Sequence, residues 1–85
     1  MEHSGPRLRV SRRKQEVFLR LLREIREEKG LRQVDVAKSL KCPQSVVSKY
    51  ESGERRLDLL EVRDLCAAVG ITLDEFVQRL ERMLR

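Results

Sequence analysis

Gly30, Gly53 and Gly70 each close a stretch whose apolar residues recur every three or four positions, the spacing of one helix face. Glycine takes the left-handed backbone conformation without steric cost, which is a common way for a helix to stop. The chain is therefore predicted to be short helices joined by tight turns. It contains no alternating apolar and polar run of strand length and no internal repeat. Its 85 residues make one small domain, which buries only roughly 60% of its unfolded surface. That leaves little room for a deep substrate pocket or a cofactor cradle. The fold class expected is all-α, a compact five-helix bundle.

The local signals place the helices. The first runs from about Lys14 to Lys29, with Phe18, Leu22 and Ile25 on one face and Val17 and Leu21 beside them. The second runs from about Gln33 to Leu40, with Val36, Ala37 and Leu40 as its apolar side. Pro43 suits a first helical turn, so it opens a third helix that ends near Ser52 with Val47 and Tyr50 inward. Asp58, three residues before Glu61, is an N-cap with a reciprocal acidic partner. It starts a fourth helix with Leu59, Val62, Leu65, Cys66 and Val69 on one stripe. Thr72 and Glu75 form a capping box and open a fifth over about 72–84, lined by Leu73, Phe76, Val77, Leu80 and Leu84. Residues 1–13, with Gly5, Pro6 and the four arginines Arg7, Arg9, Arg12 and Arg13, form either a flexible basic arm or a terminus without a role.

Composition excludes several function classes. The longest apolar run, Cys66 to Val69, is far short of a membrane span, and the N-terminus carries no secretory pattern. Cys42 and Cys66 lack a metal-ligand spacing and are expected to be reduced thiols in a cytoplasmic protein. Cys66 falls on an apolar stripe, whereas Cys42 sits in a turn and is expected to be exposed. There is no G-x-S-x-G, no phosphate-cradling glycine loop and no histidine pair, so neither an enzyme nor a cofactor or metal site is expected. Three aromatics, Phe18, Tyr50 and Phe76, are too few for stacking on single strands. Net charge is +5: residues 1–30 carry +4, residues 31–56 carry +3, and residues 57–85 carry −2. A basic part beside an acidic one suits a partner that presents phosphates on one side, although a basic balance also serves plain solubility.

The second and third helices are short and only a few residues apart, the arrangement of a helix-turn-helix at about 33–52. The third is polar outward: Gln44, Ser45, Ser48 and Lys49 project away from Val47 and Tyr50. Such side chains read base edges in a major groove.

From Leu22 to Phe76 the sequence resembles the phage-repressor-like, or xenobiotic-response-element, helix-turn-helix regulators. The resemblance is carried by LREIREEKGLRQVDVAKSL, CPQSVVSKYESGERR and LDLLEVRDLCAAVGITLDEF. It implies a lambda-repressor-like bundle that places its third helix in the major groove of double-stranded DNA. Gln44 would make the principal base contact, with Ser45, Ser48 and Lys49 completing the reading surface. Val46 would touch a thymine methyl or serve as rim packing. Gln33 would bond a phosphate and brace Gln44, while Arg32, Arg55 and Arg56 would hold the backbone. Arg26 would pair with Glu51, a structural role rather than a chemical one. Arg32 stands where the family usually has a hydroxyl residue, so the cap of helix two is expected to be lost.

The resemblance further implies a transcriptional regulator, a repressor by preference, acting as a homodimer on a palindrome. Phe76, Leu80 and Leu84 are the candidate dimer contacts. The alternative is a DNA-binding antitoxin or interaction module whose last helix holds a small partner protein.

Overall fold

The computed structural model describes residues 8–85. It contains five helices: α1 (Arg12–Glu28), α2 (Gln33–Leu40), α3 (Gln44–Ser52), α4 (Leu59–Val69) and α5 (Leu73–Leu84). There is no strand among the described residues.

Caps explain most of these boundaries. The Ser11 hydroxyl accepts from the Lys14 backbone N–H at 3.2 Å. Helix α1 therefore starts at Arg12, earlier than the apolar spacing predicts. Arg12 and Arg13, expected in the arm, are instead its first two residues. Arg9 is exposed and precedes the cap, and Arg7 lies outside the described residues. Both predicted reciprocal caps form: Asp58 with Glu61 at 2.8 Å in each direction, and Thr72 with Glu75 at 2.9 and 3.1 Å. Pro43 is the N-cap of α3 rather than a residue within it.

Two apolar clusters fill the interior. One joins Leu21 and Ile25 of α1, Val62 and Cys66 of α4 and Phe76 of α5. Phe18 meets Phe76 edge to face, with ring centres 5.8 Å apart. The other joins Val36 and Ala37 of α2, Val47 of α3 and Leu65 of α4. Leu22, Leu57 and Val69 pack against both clusters and fuse them into one core. The Arg79 guanidinium donates to both oxygens of Glu28 at 2.9 and 2.8 Å, latching α5 to the end of α1. That bond, before any charge effect, holds the Glu28 carboxyl below its usual range.

Four expectations about burial and contact need correction. Phe76 is 2% exposed. It is spent on the core of its own chain and cannot serve as a dimer contact. Leu80 also packs partly against that cluster, and Leu84 is half-buried. Leu59 and Val77, expected inside, are exposed, because Leu59 starts its helix beyond the core's edge and Val77 lies one position past Phe76. Cys42 is half-buried rather than exposed. Cys66 is buried as expected, and burial pushes its thiol pKa up, which keeps it protonated and unreactive.

Because Phe76 is the largest fully buried side chain, Phe76→Ala is expected to lower stability by about 3–5 kcal/mol. Denaturant melts at neutral pH measure this. A loss under 1 kcal/mol would mean that the aromatic contact between α1 and α5 does not organise the core.

Candidate nucleic-acid interface

Helix α3 is divided lengthwise. Val47 is 1% exposed and anchors one side. Gln44, Ser45, Ser48 and Lys49, the predicted reading surface, are all exposed on the other. Val46 is half-buried between the two sides. The Tyr50 hydroxyl donates to Glu61 Oε2 at 3.0 Å, tying α3 to α4. Burial, and then the Glu61 carboxylate, raise the Tyr50 pKa.

The turn joining α2 to α3 depends on an uncommon conformation. Lys41 has φ +58°, in the left-handed region. There the Cys42 N–H reaches the Ala37 carbonyl at 3.0 Å and the Lys41 N–H reaches the Lys38 carbonyl at 3.1 Å. This double closure normally uses glycine. Lysine here carries a steric penalty of about 1–2 kcal/mol. Gly53 ends α3 with φ +85°, and a Cβ there would sit 3.0 Å from Leu19 Cδ1. The left-handed conformation is what favours glycine at Gly53, since the end of the Leu19 side chain can give way.

A linked set of side chains lies beneath the exposed face. Arg26 donates through Nε to Glu51 Oε2 at 2.6 Å and through Nη2 to Glu51 Oε1 at 3.0 Å. Its remaining nitrogen donates to the Leu31 carbonyl at 2.8 Å. The Arg26 and Glu51 side chains are 12% and 11% exposed, so water screens this fork little. Gln33 Nε2 also donates to Glu51 Oε1, at 3.0 Å. Gln44 Nε2 donates to Gln33 Oε1 at 3.4 Å, the longest link of the series. The resemblance to the family implied Arg26 with Glu51 and Gln33 with Gln44. Sequence reasoning missed the bond from Gln33 to Glu51 that joins the two pairs, because no local spacing connects α2 to the end of α3.

The basic residues flank this face. Arg55 donates its backbone N–H to the Lys49 carbonyl at 3.2 Å, and its guanidinium lies 5.9 Å from the centre of the Tyr50 ring. Arg56 is exposed beside it. The expected loss of the helix-two cap is only half correct. Arg32 has no acceptor, but the Asp35 carboxylate accepts from the Arg32 backbone N–H at 2.8 Å and keeps the reciprocal half of the cap. Asp35 also accepts from the Arg32 guanidinium at 3.2 Å, so that side chain is already engaged. Those two bonds lower the Asp35 pKa, the side-chain bond being the larger cause. Among the described residues no group of His, Cys, Asp and Glu gathers to hold a metal.

Two short helices joined by a tight turn, the second anchored on one side and exposed and polar on the other, have the form of a helix-turn-helix. Comparison with known proteins agrees: a helix-turn-helix family model matches residues 22–76. The chain belongs to that family, in its xenobiotic-response-element branch, whose members are DNA-binding transcriptional regulators. It is similar to an XRE-family-like protein from Pseudomonas syringae pv. tomato, at 38% identity and TM-score 0.79 over 86% of this chain and 89% of that one. The fold is also that of a point mutant of the restriction-modification controller protein C.Esp1396I, at 19% identity and TM-score 0.77 over 88% and 95%. The clp gene regulator ClgR from C. glutamicum shares it at 18% identity and TM-score 0.72 over 85% and 94%. Comparison with the curated proteins gave no match.

Relief of the strain at residue 41 is directly measurable. Lys41→Gly is expected to raise stability by up to about 1 kcal/mol, since glycine's added chain entropy offsets part of the gain. A calorimetric melt that drops instead would show that the lysine side chain contributes more than its conformation costs.

Proposed function

We propose that this chain is a sequence-specific repressor that binds a palindromic operator as a homodimer, with α3 in the major groove. The single observation that supports this most is the exposed polar face of α3, in which Gln44 is braced by Gln33. An amide can meet N7 and N6 of adenine together, so Gln44 suits an A·T pair. Ser45, Ser48 and Lys49 reach neighbouring base edges. Arg55 and Arg56 lie where the backbone passes the end of α3, and the second amide hydrogen of Gln33 is available to a phosphate.

One reading helix makes few base contacts. Two copies with half-sites about 34–36 Å apart double the contacts and match the two-fold symmetry of a palindrome. With Phe76 committed to the core, the α5 contribution to such a dimer falls to Leu80 and Leu84. Repression needs only occupancy of the promoter.

Gln44→Ala is expected to lose about 1–3 kcal/mol on the selected operator and little on random duplex, measured by titration at fixed salt. Equal losses on both would remove Gln44 from base reading. The double variant R55A/R56A is expected to weaken all duplexes and to reduce the slope of log K against log salt by about 0.9 for each phosphate left without its arginine. An unchanged slope would place those arginines away from the backbone.

A further inference from the structure

We infer that Glu51 is a specificity-determining residue. It fixes which way round Gln44 presents its carbonyl and its amide to a base pair. The inference rests on the docking of α3 proposed above.

The argument begins at Arg26. A guanidinium has only donors, and an ionised carboxylate has only acceptors. Arg26 grips both oxygens of the Glu51 carboxylate in a fork, so Glu51 offers nothing but lone pairs. Gln33 is the next residue along. Its side-chain amide has a donating and an accepting end of nearly equal size, and alone it could point either end at Glu51. A carbonyl oxygen facing a carboxylate oxygen at 3.0 Å is repulsive, so Gln33 must turn its nitrogen to Glu51. Its own carbonyl then faces Gln44. The same reasoning passes outward, and Gln44 must turn its nitrogen to Gln33. Each amide has two orientations in principle. Anchoring the series at a donor-only group removes one orientation from both.

Gln44 is left with a free carbonyl oxygen and one free N–H in a set order. Adenine offers N7, an acceptor, beside N6, a donor. The order fits the N7–N6 edge of an adenine, and the thymine methyl at the opposite edge of the pair distinguishes the two strands. A reversed amide on the same backbone would set oxygen against N7 and N–H against the N6 amino group. Glu51 thus acts through two intervening amides, three hydrogen bonds from the base, as a positioning residue that never touches DNA.

The test uses the full chain and sites selected from random duplex DNA. Four proteins are compared: the native chain, Gln44→Ala, Glu51→Gln and Arg26→Lys. Glu51→Gln keeps the shape but supplies one acceptor where two oxygens are needed, so either end of residue 51 can face Gln33. Arg26→Lys weakens the fork and destabilises the fold, but leaves the Glu51 carboxylate acceptor-only. The native chain is expected to prefer A·T over T·A by about tenfold at one position per half-site, and Gln44→Ala to abolish that preference. Glu51→Gln is expected to bring it within about twofold, read as the ratio of the two sites on folded protein so that any general loss of affinity from the weakened fork cancels. Arg26→Lys is expected to keep the native preference despite its lower Tm. A folded Glu51→Gln protein that keeps the full preference overturns the inference.

A second measurement needs no variant to fold. In the free native protein, NOEs from the Gln33 amide protons are expected to reach the Glu51 γ-protons, and those from the Gln44 amide protons to reach the Gln33 γ-protons. NOEs from the Gln33 amide protons to the Gln44 γ-protons would mean the reverse polarity and would overturn the inference. Should the native chain show no preference that Gln44→Ala removes, the inference falls with the docking on which it rests. The NOE pattern then shows which failed: expected NOEs locate the fault in the docking, reversed NOEs in the polarity itself.

Discussion

The fork between Arg26 and Glu51 is the interaction on which the arrangement of the motif depends. It joins the last turn of α1 to the last turn of α3, twenty-five residues apart in the chain. Through its third nitrogen Arg26 also holds the Leu31 carbonyl, which fixes the entry to α2. One side chain therefore sets the positions of three helices. Removing either partner would leave a poorly hydrated charge without a counterion, a loss of about 3–5 kcal/mol when such pairs are buried. The rotation of α3 about its axis follows from this pair together with Val47. That rotation turns Gln44, Ser45, Ser48 and Lys49 outward as a set.

The apolar interior makes the pair effective. The two clusters divide the work: α1, α4 and α5 form the base, and α2 and α3 ride on Leu65 of α4. Ala37 is 2% exposed, and its small side chain lets these two short helices approach closely. Eight- and nine-residue helices are marginal alone in water. Here packing, the left-handed turn at Lys41 and the Tyr50–Glu61 bond hold them. A helix so supported can carry a fully polar outer face, because none of that face is needed for the core.

Much of this was legible in the chain because the signals are local. Asp58 with Glu61 and Thr72 with Glu75 act within one turn, so the starts of α4 and α5 could be read directly. Gly30, Gly53 and Gly70 stop their helices for a reason intrinsic to glycine. Where the reading failed, the deciding interaction was less distinctive or not local. The turn fell where Leu40 and Pro43 bound it, but Lys41 takes a conformation usually left to glycine and its residue type gave no sign of that. Serine at position 11 is a good cap, but its neighbours Arg12 and Arg13 are of the kind expected in a basic arm. Periodicity placed Leu59 and Val77 on apolar stripes without saying where the core ends. It also left open whether Phe76 turns inward or toward another molecule.

The sequence by itself determined five helices, their order, most of their ends and the polar character of the α3 surface. These depend on backbone conformation and side-chain chemistry within a few residues. Only the tertiary structure decided that Phe76 belongs to the interior and that Glu51 touches Arg26 and Gln33 together. Those outcomes depend on the distances between residues that the chain keeps far apart. The direction of the Gln44 amide is of the same kind, since a local sequence supplies the amide but not the partner that orients it.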